Sequence, residues 1–432
     1  MNDTRKIRIN VPALARVEGE GALEVSIQGD RIETLRLRIY EPPRLFEKFL
    51  EGRDYAEVPD IVARICGICP VAYQMSAVHA LESLFSCTVS PWVRQLRRLL
   101  YCGEWLESHS LHIHLLAAPD FLGYENAPQM AQDYPDEVRR GLRLQALGNE
   151  IISFLGGRSV HPVGVRVGGF HHAPAKQEAE ILLTKLRNAA ADARALIGWT
   201  AALPLPDLMQ DFTCVALHHP QEYPMNEGRL HSTGGLDIAS ADFEGYFSEH
   251  QVPHSTALHA LLQGKPYLVG PLARLNLNHD CLPEEVRSAL TASDIHFPSR
   301  NMFHSIVARA VEIYYALLEA IRILADYQPA AMSYTPVLPQ GGVAYGCTEA
   351  PRGILWHRYE VDAHGQILKA RIVPPTSQNQ ARIEQDLRHG LQNFGLAKSD
   401  QALRLFGEQI IRNYDPCISC ATHFLKLKVH RR

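Results

Sequence analysis

Two Cys-x-x-Cys pairs, Cys66/Cys69 and Cys417/Cys420, lie near opposite ends of a 432-residue chain. Two intervening residues turn the backbone so that both sulfurs of a pair face one point, and two such pairs offer four soft thiolate donors to a metal. A structural zinc site, redox thiols and a buried active-site metal all use this spacing. Zinc ribbons keep their pairs close together in one small module, whereas nearly the whole chain separates these two. A shared site would therefore tie together the ends of a large protein, which favours an active-site metal over a local staple. The remaining cysteines, Cys87, Cys102, Cys214, Cys281 and Cys347, stand alone and read as small buried hydrophobes.

Composition narrows the setting. A hydrophobic fraction of 46% is ample for a core, and a formal charge of −4 provides no basic stripe. Nucleic acid and anionic membranes are therefore poor partners. No apolar run reaches the roughly 18 residues of a membrane helix. Met1 to Lys6 lead straight into a strand-like pattern rather than a signal peptide. Nine cysteines, an odd number without a secretion signal, argue against a disulfide framework. A soluble cytoplasmic protein without a membrane span is expected.

The elements that must position the thiols follow from periodicity. Residues 7–40 alternate apolar and polar in short runs around a Gly29-Asp30 turn, which predicts a small antiparallel sheet within an N-terminal region over 1–40. Residues 55–200 turn helical. Pro70 suits the first turn of a helix from Val71 to about Phe85, so Cys69 sits at a helix N-terminus, where the dipole favours a thiolate. Further helices are expected from Ser90-Pro91 to about Ala117, Glu137 to Leu155, and Ala175 to Trp199, together forming a central bundle. Residues 204–300 read as a mixed region of short strands, loops and small helices. In 303–423, a helix at Phe303–Ala325 precedes a hairpin of Ile354–Tyr359 and Gln366–Val373. Helices near Asn379–Asn393 and Asp400–Arg412 then deliver the chain to Asp415-Pro416. The expected class is α+β, predominantly helical, with small peripheral antiparallel sheets, in a single domain over 1–432 with a tail at 424–432.

The residues around the pairs, Arg64-Ile65-Cys66-Gly67-Ile68-Cys69 and Asp415-Pro416-Cys417-Ile418-Ser419-Cys420-Ala421-Thr422-His423, resemble the ligand motifs of the nickel-iron hydrogenase large subunit. Arg16-Val17-Glu18-Gly19, Phe46-Glu47-Lys48, Gly157-Arg158-Ser159-Val160-His161-Pro162 and Glu349-Ala350-Pro351-Arg352-Gly353 extend the resemblance in order. Tyr40-Glu41-Pro42-Pro43-Arg44 and Val373-Pro374-Pro375-Thr376 look like its soluble, cofactor-coupled branch. The resemblance implies the fold of that subunit and reversible splitting of dihydrogen at a nickel-iron centre whose iron carries carbon monoxide and cyanide. It makes Cys66 and Cys417 terminal nickel ligands and Cys69 and Cys420 bridging ones. Glu18 would take a proton from Cys417, and Asp415 would orient the surroundings of the nickel. Arg352, Pro351, Pro375 and Thr376 would line the pocket of the iron ligands, with the Arg352 fork donating to a cyanide nitrogen. Glu47 and His423 would hold a magnesium ion.

The resemblance also implies partners. The chain has no further cysteine set for iron-sulfur clusters, and no Gly-x-Gly-x-x-Gly is evident. Electrons would leave through an iron-sulfur small subunit to flavin-bearing diaphorase subunits that bind NAD(P). Maturation proteins would insert nickel, and a C-terminal endopeptidase is implied by relatives that end at the last motif's histidine. Two departures stand out: Tyr73 replaces a usual histidine, and Phe424 to Arg432 follow His423, with Leu425 to Val429 alternating like a strand. A dihydrogen-sensing subunit, a metal-free quinone-module relative and a zinc-ribbon scaffold are the rival readings. His109, His112 and His114 on one helix are equally compatible with core packing and with a supporting role near the metals.

Overall fold

Ile7, Ile9 and Val11 are buried between exposed Lys6, Arg8 and Asn10, a period of two that lets a strand present one face to the core. The computed structural model, which describes residues 6–422, pairs Lys6–Val11, Gly21–Gln28 and Arg31–Ile39 in one antiparallel sheet. Gly29 takes a left-handed φ of 62° at the expected turn. The fold is α+β and predominantly helical, with five small antiparallel sheets among the described residues, the one over 342–373 largely buried.

The bundle packs Pro91–Leu111 against Pro135–Gly156, and Ser305–Ala325 against both Pro91–Leu111 and Lys176–Ala201. The first crossing is unusually close: a Cβ on Gly148 would stand 2.5 Å from the Gly103 carbonyl and 2.5 Å from the Glu107 amide. Only glycine at this crossing lets the backbones meet. The helix expected to run to Ala117 changes character on the way. After Leu111 it becomes a π-helix over His112–Ala117, then an α-helix over Ala118–Leu122. The extra residue per turn shifts the side-chain register, which an apolar pattern does not announce.

Two other differences bear on the site. The expected hairpin is the outer part of a three-stranded sheet, Gly342–Ala350, Gly353–Val361 and Ile367–Val373. Gly342 and Gly346 weaken the strand signal of its first strand. Ala350 pairs with Gly353, so Pro351 and Arg352 form the tip of a two-residue turn. The helix expected from Asn379 begins at Pro375. Proline has no amide to lose in a helix's first turn, so Pro374-Pro375 opens a helix where it reads as a loop, and Thr376 belongs to that first turn. The 424–432 tail and its strand-like alternation lie outside the described residues.

Candidate metal centre

Four elements bring the thiols together. Cys69 precedes the Pro70–Leu84 helix, and Cys66 lies on the turn before it, its sulfur accepting the amides of Ile68 and Cys69 at 3.3 Å each. Cys417 follows the Asp400–Asn413 helix, and Cys420 sits in a short 3-10 turn over Ser419–Thr422. All four are buried, with sulfurs within 4.8 Å of one another. Cys66 and Cys417 stand 3.4 Å apart, Cys69 and Cys420 3.6 Å, Cys417 and Cys420 2.8 Å.

Burial pushes the Cys417 and Cys420 thiols up, whereas hydrogen bonds from Cys417, Cys420 and Cys69 pull Cys66 down. Four thiols crowded in a dry pocket resist ionising together, and a cation among them removes that resistance. Burial likewise pushes the lone Cys214 thiol up to about 11 and raises Cys102 and Cys347, as expected of inert core cysteines.

Glu18 reaches the pocket from the N-terminal segment. Its carbonyl accepts the Ile418 amide at 3.0 Å, in a parallel bridge beside Cys417. The Cys417 thiol donates to Glu18 Oε2 at 3.2 Å, and the Ser419 amide donates to the same oxygen at 3.0 Å. Gly19 permits this approach: its φ is +86°, and a Cβ there would lie 2.7 Å from Ile418 Cβ and 2.6 Å from Glu41 Oε2. The Ser419 hydroxyl donates onward to Glu41 at 3.0 Å. Arg16 and Arg412 both bind Asp120, locking the Glu18 segment to the helix that carries the C-terminal pair.

Across the pocket, Arg352 donates from Nε to the Asp415 carbonyl at 2.7 Å and from Nη2 to Asp415 Oδ1 at 3.0 Å. Asp415 is held at a left-handed φ of 56°. Arg352 Nη1 and Asp415 Oδ2 are buried without a hydrogen-bond partner among the described residues. Thr376 accepts the Cys417 amide at 3.0 Å, and Pro375 is buried beside it in the helix's first turn. Pro351 shares the hairpin tip with Arg352 and is tied down through its carbonyl, which accepts from Arg274 at 2.9 Å. The Tyr73 hydroxyl is likewise buried, facing Cys420; burial, then the nearby Cys420 and Cys69 thiols, push it well above its ordinary range. Orphaned polar atoms around four convergent thiols suit a metal whose non-protein ligands accept hydrogen bonds.

Other expected residues lie elsewhere. Glu47 accepts the Ile372 amide at 2.8 Å, between the Phe46–Leu50 helix and the Ile367–Val373 strand. Its expected companion His423 lies outside the described residues. His109 bonds Glu312 at 2.8 Å, His112 the Arg412 carbonyl at 2.8 Å, and His114 the Ser110 carbonyl at 3.0 Å while stacking on Trp199. They serve packing, with His112 steadying the last turn before Asp415.

Sequence reasoning passed over two carboxyls. Glu104 accepts the amides of Val71 at 2.6 Å and Ala72 at 3.1 Å, closing the N-terminus of the helix behind Cys69. Glu107 is buried, and desolvation raises its pKa well above the usual carboxylate range while Arg352 opposes the rise. Two glutamates three apart in a buried helix are the signal that could have found them. Arg44, in the Glu41-Pro42-Pro43-Arg44 stretch, joins the two ligand loops by donating to the carbonyls of Ile65 and Ser419.

A family described as nickel-dependent hydrogenase matches residues 44–140 and 253–423. The chain is 31% identical to sulfhydrogenase 2 subunit alpha of Pyrococcus furiosus, over 97% of this chain and 100% of that one. It is 28% identical to the NAD-reducing hydrogenase HoxS subunit beta of Cupriavidus necator, over 97% of this chain and 95% of that one. A crystal structure of an NAD+-reducing [NiFe]-hydrogenase in its H2-reduced state superposes with a TM-score of 0.86 at 26% identity, covering 98% of this chain and 100% of that one.

Proposed function

The chain belongs to the nickel-dependent hydrogenase family, and from that premise we propose that it is the catalytic subunit of a soluble cytoplasmic enzyme interconverting dihydrogen with protons and electrons. The direct contact between the Cys417 thiol and Glu18 at 3.2 Å carries the reading, because it joins a metal-ligand sulfur to a carboxylate at the half-buried edge of the pocket.

Cys66, Cys69, Cys417 and Cys420 would hold nickel and iron, which supply a Lewis-acidic centre for heterolytic cleavage of dihydrogen. The protein's part is to bind, orient and move the proton. Glu18 Oε2 is already the acceptor of the Cys417 S–H, so a proton on that sulfur has its next carrier in hydrogen-bond range. The Ser419 amide fixes the Glu18 carboxylate, while the Ser419 hydroxyl holds Glu41. Arg352 Nη1 would donate to a carbon monoxide or cyanide ligand on iron while Asp415 holds the guanidinium in place. Glu47, with His423, would bind magnesium against the C-terminal segment.

Relatedness to a NAD-reducing hydrogenase supports coupling to NAD(P) through an iron-sulfur small subunit and a diaphorase. No helix among the described residues is long and apolar enough to cross a membrane, consistent with soluble partners. Nickel loading through maturation proteins follows from the same relationship. Metal analysis with infrared spectroscopy tests the centre. The expected result is one nickel and iron with cyanide and carbonyl bands; zinc alone, or no bands, would sink the reading.

A further inference from the structure

Outside the four-cysteine pocket, one other group among the described residues gathers three metal-ligating side chains. His254, His259 and Glu384 each offer one ligand atom, and these atoms lie within 4.8 Å of one another. They come from the turn after the Phe247–Gln251 strand, from the Leu258–Leu262 strand paired with it, and from the Pro375–Phe394 helix. His254 Nε2 meets Glu384 Oε1 at 2.8 Å, and the same oxygen accepts the Leu37 amide at 2.9 Å. His259 is only 5% exposed, yet its Nε2 is buried with no hydrogen-bond partner. The two rings stand edge to face at 5.9 Å.

We propose that His254, His259 and Glu384 form a second metal site for a divalent cation of the zinc class, with water completing the coordination. Two imidazoles and a carboxylate match zinc and nickel and ill suit magnesium or calcium, which prefer oxygen throughout. Burial pushes His259 down to about 4, so its ring is a neutral donor at neutral pH. Ligands at about 2.1 Å in a tetrahedron stand roughly 3.4 Å apart, so the cation must spread the His254–Glu384 contact slightly. Both side chains are about one-fifth exposed, at 19% and 20%, and the opening gives the ion an entrance.

The position makes the site a clamp. Thr256, between the two histidines, binds the carbonyls of Ile39 and Glu41, and Ala257 packs on Ile418 and Ala421. The helix bearing Glu384 carries Thr376 to the Cys417 amide in its first turn. One cation would thus brace the back of the segment that holds Cys417 and Cys420.

Elemental analysis of the purified holoenzyme tests the proposal. The wild type is expected to hold one zinc-class cation beyond nickel and iron of the four-cysteine centre. His259→Ala should lose it while that nickel and iron remain; His254→Gln, at the more exposed ligand, should lower it several-fold and guards against misfolding of the first variant. Cobalt in the site should give the visible bands of a low-coordinate ion, absent from His259→Ala and weakened several-fold in His254→Gln. A second nickel in place of zinc, lost in the same variants, supports the same donor chemistry. No additional cation in the wild type, or one retained in both variants, overturns the proposal. A wild type lacking nickel but holding zinc that His259→Ala removes would instead count against the four-cysteine reading.

Discussion

On one side of the Glu349–Arg352 segment, every donor of the Arg274 guanidinium is used. Its nitrogens bind both oxygens of Glu312 at 2.8 Å, Glu349 at 2.8 Å, and the Ala350 and Pro351 carbonyls at 2.7 and 2.9 Å, while Trp105 lies 4.5 Å beneath it. Tyr223 and His109 also reach Glu312. On the other side, two residues along the chain, Arg352 and Asp415 each keep one buried polar atom without a partner. The two regions are equally dry, so burial does not distinguish them. The difference lies in the guanidiniums: saturated Arg274 fixes the hairpin, whereas Arg352 keeps a donor for something that is not protein.

Substitutions should separate the two regions cleanly. The largest effect is expected for Cys417→Ser, which would remove the proposed soft ligand and first proton carrier: nickel content and hydrogen oxidation should both vanish, and retained nickel with activity would break the assignment. Glu18→Gln should keep both metals and the fold but slow hydrogen-deuterium exchange by about a hundredfold or more, the range for a positioned general base. Unchanged exchange would remove Glu18 from the proton path.

In the saturated network the cost should fall on stability. Arg274→Met removes the cation shared by the buried Glu312 and Glu349 and should cost about 3–5 kcal/mol, read as a large fall in the temperature of unfolding. A variant as stable as the wild type would erase the contrast.

The smallest effect is a pH dependence. Burial, opposed by the bond to the Ser110 carbonyl, holds His114 down to about 4 from 6.5. The folded ring stays neutral while the unfolded one protonates below 6.5, so stability is full above that pH and is lost as pH falls toward the folded value. A gap of that size between the folded and unfolded ring corresponds to a loss of about 3 kcal/mol at most. His114→Phe should flatten this part of the acid-unfolding curve; an unchanged slope would show that the ring does not titrate as its burial requires.

Much of the site was legible because its chemistry is carried by local spacing. Cys66/Cys69 and Cys417/Cys420 announce ligands through the geometry of two intervening residues, and Pro70 marks the helix that presents Cys69. The Arg274 network was not legible, since Arg274, Glu312, Glu349 and His109 come from four distant stretches without shared periodicity. The strand Gly342–Ala350 was missed for a different reason: its partner strand, not its own composition, supplies its stability.

The sequence by itself determined the donor types, the helix and strand periods and the order of the motifs, because these depend on neighbours within a few residues. The family resemblance led one to expect a shared four-thiol site with Glu18 beside Cys417; the tertiary structure alone supplied its geometry, with Glu18 3.2 Å from Cys417, and decided that His254, His259 and Glu384 converge. Those contacts depend on chain closure over hundreds of residues. They are set by how the bundle and sheets pack, and no local pattern records that.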